Sequence, residues 1–158
     1  MKIGIACDHA GFTHKENLKN YLKEKGIEVN DFGCYTEESV DYPDFAHELA
    51  KSIQIKKNDF GIQFCGTGNG INMSANKHKG IRSALCWNAH IAEQSRLHNN
   101  ANILTMPARH LNWNEVKEIV DVFLITKFEG GRHERRVKKN KHIIIENFSF
   151  FNISFNMF

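Results

Sequence analysis

The chain has 158 residues, 41% of them hydrophobic and 25% charged, with a formal net charge of +3. A length near that of one common domain and an ordinary soluble composition exclude a wholly disordered chain and a polytopic membrane protein. The charge is too small to require nucleic acid, yet it leaves room for a basic pocket that receives an anion.

Along the chain, short runs rich in Ile and Val alternate with longer segments of helical period, the pattern of βα units around a parallel sheet. Strands are expected at residues 2–6, 28–31, 60–64, 81–85 and 103–106. Between the first two, Leu18, Tyr21 and Leu22 recur at helical spacing, and Gly26 is a plausible stop. Phe45, Leu49 and Ile53 stand one turn apart and place a helix over 42–55, with Pro43 tolerated in its first turn. Further helices are expected over 71–77, 88–98 and 114–126, and a last one carrying Arg132 onward. The expected fold is α/β: a doubly wound five-stranded parallel sheet in a three-layer αβα sandwich, Rossmann-like or flavodoxin-like, with ligand at the carboxyl ends of the strands. One domain is expected over 1–142. Residues 143–158 read differently, with Phe148, Phe150, Phe151, Phe155 and Phe158 among Asn and Ser, a tail of low complexity for which docking and disorder are equally open. Asp8 interrupts the apolar start too early for a secretory leader, and no stretch approaches the roughly 20 apolar residues that cross a bilayer. A cytoplasmic location without a membrane partner is expected.

The chemistry gathers at the strand ends. Cys65-Gly66-Thr67-Gly68-Asn69-Gly70 follows the third strand, and its alternating glycines let backbone N–H groups turn toward an anion. Ile71 stands where a dinucleotide fingerprint needs glycine and where a Cys-x5-Arg phosphatase loop needs arginine, and no Gly-Lys-Ser/Thr closes the run as in a Walker loop. Cys65, beside that cradle and a helix start, is expected to have its pKa drawn below the free value of about 8.5 and to act as a base; space-filling is the ordinary fate of such a thiol. Cys7, Cys34 and Cys86 are expected to be buried free thiols, since no CxxC spacing occurs. Asp8 and His9 follow the first strand and should share the edge of Cys65, although capping is the ordinary role of such a pair. His98 closes a helical segment, where the negative end of the helix dipole favours a protonated ring. Arg132 and Arg136, four apart, can grip one phosphate. With Lys138, Lys139 and Lys141 beyond them, a solvated basic helix is the plainer reading, and no nucleic-acid motif accompanies them.

Cys7-Asp8-His9-Ala10-Gly11-Phe12, Asp41-Tyr42-Pro43, the Cys65–Gly70 loop, Ala75-Asn76-Lys77, His98-Asn99-Asn100-Ala101-Asn102 and Gly130-Gly131-Arg132-His133 closely resemble, in order, ribose-5-phosphate isomerase type B. The resemblance covers roughly residues 1–141. It implies an aldose–ketose isomerase of the pentose phosphate pathway, with no metal or organic cofactor and with active sites formed between two subunits of a homodimer; pairing into tetramers stays open. It implies that Cys65 moves a proton between C2 and C1, that Thr67 and the amides of Gly66, Gly68, Asn69 and Gly70 stabilise an enediolate, and that His98, with Asp8, opens the furanose ring. His9, Arg109, Arg132 and Arg136 would hold the phosphate, and Tyr42 and Asn99 would line the sugar site. One branch of that family carries a glutamate base after the third glycine; Cys65 with Ile71 resembles the cysteine branch. Hexose 6-phosphates such as those of allose or galactose are the alternative substrates, and a non-catalytic sugar-phosphate binder is the alternative from another class.

Overall fold

In the computed structural model, which describes residues 1–140, the strands are β1 (Lys2–Cys7), β2 (Glu28–Asp31), β3 (Phe60–Cys65), β4 (Ser83–Leu85) and β5 (Ile103–Pro107). All pair in parallel, in the order β2-β1-β3-β5-β4. The helices are α1 (Phe12–Glu24), α2 (Tyr42–Gln54), α3 (Asn69–Ala75), α4 (Ala89–Asn99), α5 (Trp113–Ile125) and α6 (Gly131–Lys139). The Phe-rich tail, and with it the boundary expected at 142, lies outside the described residues. Among these residues no helix is long and apolar enough to cross a membrane.

Period-two alternation sends side chains to both faces of the sheet, and both faces are covered. Ile3, Ile5, Ile62, Phe64, Leu104 and Met106 point to one face, where they meet Leu18 and Leu22 of α1, Ala92 of α4 and Val116, Ile119, Val120 and Phe123 of α5. Ala6 and Ile103 point to the other, against Leu49, Ala50 and Ile53 of α2 and Ala75 of α3. This is the expected three-layer sandwich. Phe64 and Phe123 are fully buried, and truncation of either to alanine costs about 3–5 kcal/mol.

Two elements start two residues away from expectation, for local reasons. β4 starts at Ser83, not 81, because the Arg82 N–H is taken by the Asn102 side chain at 2.8 Å. Helix α3 starts at Asn69, not 71, because Gly68 adopts φ +76 and turns the chain into the helix at once.

Adjacent strands β1 and β3 send their helices, α1 and α3, to opposite faces. That divergence opens a crevice at their carboxyl ends, where doubly wound sheets bind ligands. Helix α4 runs the other way: it starts beyond the carboxyl end of β4 and returns to the amino end of β5. Its 11 residues span about 16 Å at 1.5 Å per residue, so its last turn lies at the opposite edge of the sheet.

Candidate active site

The carboxyl-edge half is assembled from strand ends. Asp8 follows β1 and is tied to β3 by its own N–H, which donates to the Phe64 carbonyl at 3.2 Å. Its side chain accepts from Gly11 N at 3.2 Å, so the capping role is real. The same carboxylate stands beside the Cys65 thiol and raises its pKa. Cys65 is 8% exposed and packs against Ala46 and Ile71. The nearby backbone N–H groups of Gly68 and Ile71 act on it in the opposite direction.

One expectation is overturned here. The Cys65 thiol is pushed up to about 11, not drawn down: burial is the largest cause, the neighbouring Asp8 carboxylate adds to it, and the two amides only partly offset them. The sulfur is therefore a protonated thiol at neutral pH.

The loop geometry depends on two glycines. Gly68 needs its left-handed backbone, and a β-carbon there would lie 2.5 Å from Leu85 Cδ1. Gly70 has no room for one either, because the Tyr42 ring from the start of α2 would stand 2.6 Å away. Tyr42 thus closes over the cradle, where a sugar-lining role requires it. Below, buried Gln63 places its amide nitrogen 2.8 Å from Thr105 Oγ1, 3.2 Å from Ile71 O and 3.3 Å from Ser83 Oγ, and its two N–H groups, shared among them, hold the first turn of α3 to the sheet. No motif could have flagged Gln63; a polar residue inside an apolar strand was its one sign. Thr67 is exposed and its Oγ1 accepts from Asn69 N. Arg109 follows β5, donates its N–H to Gly66 O at 3.1 Å and lays its guanidinium along Gly66. His9 receives the Val40 N–H on Nδ1 at 3.4 Å, which leaves its ring proton on Nε2, free to serve an anion.

His98, Asn99, Arg132 and Arg136 are not part of this half. His98 and Asn99 end α4 at the amino edge, where Arg82 donates to Asn99 O at 3.1 Å. They line, with Arg136, a cleft of about 1310 Å³ whose other wall includes Asn76, Lys79 and Arg82. Helix α6 packs on α4, and Arg132 and Arg136 stand exposed on it. In this second half His98 stacks on His133, with ring centroids 4.1 Å apart and planes 5° from parallel. The Glu129 carboxylate lies 3.7 Å from His98 Nε2 and 3.8 Å from His133 Nε2.

These three donors are the group among the described residues best placed for a metal, their ligand atoms lying within 4.8 Å of one another. The details argue for protons and anions instead. Parallel stacked rings cannot both aim their lone pairs at one ion, His133 Nε2 already accepts from Arg132 Nε at 3.2 Å, and Arg136 adds a second positive charge.

The expected site residues therefore form two clusters. Asp8, His9, Tyr42, Cys65, the loop through Gly70 and Arg109 share one edge; His98, Asn99, Arg132 and Arg136 share the other.

Comparison with known proteins agrees with this architecture. A family model described as Ribose/Galactose Isomerase matches residues 3–140. The chain is 42% identical over 137 residues to ribose-5-phosphate isomerase B of Escherichia coli, covering 87% of this chain and 92% of that one. A crystal structure of a ribose 5-phosphate isomerase from Thermotoga maritima superposes with a TM-score of 0.88 at 54% identity, covering 90% of this chain and 98% of that one. The Mycoplasma genitalium ribose-5-phosphate isomerase B structure, which holds ribulose 5-phosphate, superposes with a TM-score of 0.83 at 44% identity over 87% of this chain and 92% of that one. A match of this extent, on a fold and a cysteine-glycine loop reached independently, establishes that the chain belongs to the ribose/galactose isomerase family.

Proposed function

We propose that this protein is an aldose–ketose isomerase that interconverts D-ribose 5-phosphate and D-ribulose 5-phosphate through a cis-enediolate, in the cytoplasm, where its four free thiols stay reduced. The observation that carries the reading is the buried Cys65 thiol, beside Asp8 and near the amides of Gly68 and Ile71 at the β1/β3 crevice. A base there can take the C2 proton and return it to C1 while the amides and Thr67 receive the developing oxyanion. The thiol is protonated in the free protein, so its proton leaves to solvent before the sulfur takes the C2 proton. His98 gives a proton to the ring oxygen while Asp8 takes that of the anomeric hydroxyl, which opens the furanose to the aldehyde. His9, Arg109, Arg132 and Arg136 take the phosphate, and Tyr42 and Asn99 flank the sugar. Side chains and amides fill every role, without metal or organic cofactor.

The two halves lie on opposite edges of one sheet, which supports a homodimer in which one copy supplies Cys65 and its partner supplies His98. The pentose is favoured over allose or galactose 6-phosphate because the relatives above are named for ribose 5-phosphate and one was crystallised with ribulose 5-phosphate.

Turnover of ribose 5-phosphate in heavy water is the test. Deuterium at C1 of the ketose is expected, and Cys65→Ala should lower kcat by about 10³- to 10⁴-fold, toward the upper end for one acid or base. Binding without turnover would leave only a sugar-phosphate sensor. Turnover with no solvent deuterium would exclude an exchanging base, and a higher kcat/KM on a hexose 6-phosphate would reassign the substrate.

A further inference from the structure

The His98–His133 stack is more ordered than a surface histidine requires. His98 is the last-turn residue of an exposed helix end, with its side chain 36% exposed, and such a ring samples several rotamers in solvent. Here one whole face is held by a second imidazole at 4.1 Å. That second ring is itself immobilised. His133 is 4% exposed, lies in the first turn of α6 and accepts from Arg132 Nε at 3.2 Å. Glu129 is placed with equal economy. Its backbone N–H donates to Leu97 O at 3.1 Å, one residue before His98, and its carboxylate comes within 3.7 Å of His98 Nε2.

We infer that His133 and Glu129 are positioning residues for His98, the first fixing the plane of its ring and the second balancing the charge of its protonated form; this rests on the assignment of furanose opening to His98. The pair forms a carboxylate–imidazole unit with a stacking wall, a second layer of the kind that orients functional histidines. Chemistry explains why the wall is a histidine kept neutral. Burial is the first cause that holds the His133 imidazole below its usual value; His98, Arg132 and Arg136 act in the same direction, and the Glu129 carboxylate opposes them only in part. A neutral wall neither repels the protonated His98 nor competes with it for the proton. Sequence alone could not separate the two: both are histidines in matching motifs, and only packing makes one exposed and reactive and the other buried and fixed.

The test exploits the two forms of substrate. Ribose 5-phosphate must be opened before isomerisation, whereas ribulose 5-phosphate, with its C5 oxygen blocked by phosphate, is already acyclic. Exchange of its C1 protons in heavy water therefore reports the Cys65 half alone. His133→Ala is expected to lower kcat/KM for ribose 5-phosphate by about 10-fold or more, in the range of second-layer substitutions, with C1 exchange within about twofold of the parent. His133→Phe, which keeps a flat wall, should recover most of the loss. Glu129→Gln, at a half-exposed side chain, should lose about 3- to 10-fold with the same selectivity. Equal losses in both assays for Glu129→Gln and His133→Ala, or a phenylalanine no better than alanine, would overturn the inference. His98→Asn is measured alongside. If it too loses both activities equally, the ring-opening assignment has failed and takes this inference with it; if it alone is selective, only the positioning role is wrong.

Discussion

The two halves of the site are built on opposite principles. At the carboxyl edge, Asp8, Cys65 and the loop to Gly70 hang from the central strands; Asp8 and Cys65 are buried, and the backbone is bonded to the core, Asp8 to Phe64, Gly66 to Arg109, Ile71 to Gln63. At the amino edge, His98, Asn99, Arg132 and Arg136 are carried on helix ends, at least partly exposed, and ordered chiefly by one another and by Glu129 and His133. The difference matches the chemistry. Proton transfer at carbon needs a dry, preorganised cradle, because amides are worth most where water is excluded. Ring opening and phosphate capture need long charged side chains that reach a ligand from another surface, and in the proposed homodimer a second copy brings them there.

The largest effect comes from breaking the two halves in different chains. Cys65→Ala and His98→Asn should each leave about 1% or less of the activity on ribose 5-phosphate, since a positioned acid or base contributes about 10² to 10⁴ in rate. Mixed after subunit exchange, the two inactive proteins should regain about a quarter of the parental activity, because half the dimers are then hybrids with one intact site each. Steady-state assay of the mixture measures this. No recovery, with hybrids shown by native mass spectrometry, would mean that both residues serve one site from one chain.

A smaller effect separates the halves by stability. Gly68→Ala forces a left-handed alanine against Leu85 and should cost about 1–2 kcal/mol in urea unfolding as well as activity. Arg136→Ala, at an exposed position, should cost within about 0.5 kcal/mol while still weakening substrate binding. If Arg136→Ala unfolded the protein as readily as Gly68→Ala, the contrast between a core-built and a surface-built half would be lost.

The smallest effect is a titration. The folded values of Cys65 and Cys86 are raised from 9.0 to about 11, each first by burial, and that of Cys7 is raised further, by burial and the Cys34 thiol beside it. The folded state therefore holds thiol protons more tightly than the unfolded chain. The stability this contributes is complete below about pH 8.5 and is lost as pH climbs through 11. Melting temperature should fall steadily between those limits, and less steeply in Cys65→Ser. Alkylation of Cys65 by iodoacetamide should rise along the same limb, and Asp8→Asn, which removes an upward influence, should move that limb to lower pH.

Much of this was legible before any coordinates. The order of strands and helices followed from alternation and helical spacing, because parallel strands buried on both faces and amphipathic helices leave strong periodic marks. The edge shared by Asp8 and Cys65 followed as well, since parallel strands put every βα junction at one end. The sign of the Cys65 shift did not. A glycine loop advertises amides that lower a thiol, while the burial and the Asp8 contact that outweigh them come from strand pairing between residues 57 positions apart.

The residue types needed for isomerase chemistry, their order and the parallel sheet that carries them are properties of the local chain, set by spacing and side-chain identity. That His133 is the wall of His98 and that Gln63 underpins the loop were decided only in three dimensions. The physical reason is packing: the parallel βα order already sends the last turn of α4 to the edge away from Cys65, but no pattern of hydrophobicity along a helix says what will pack against it there.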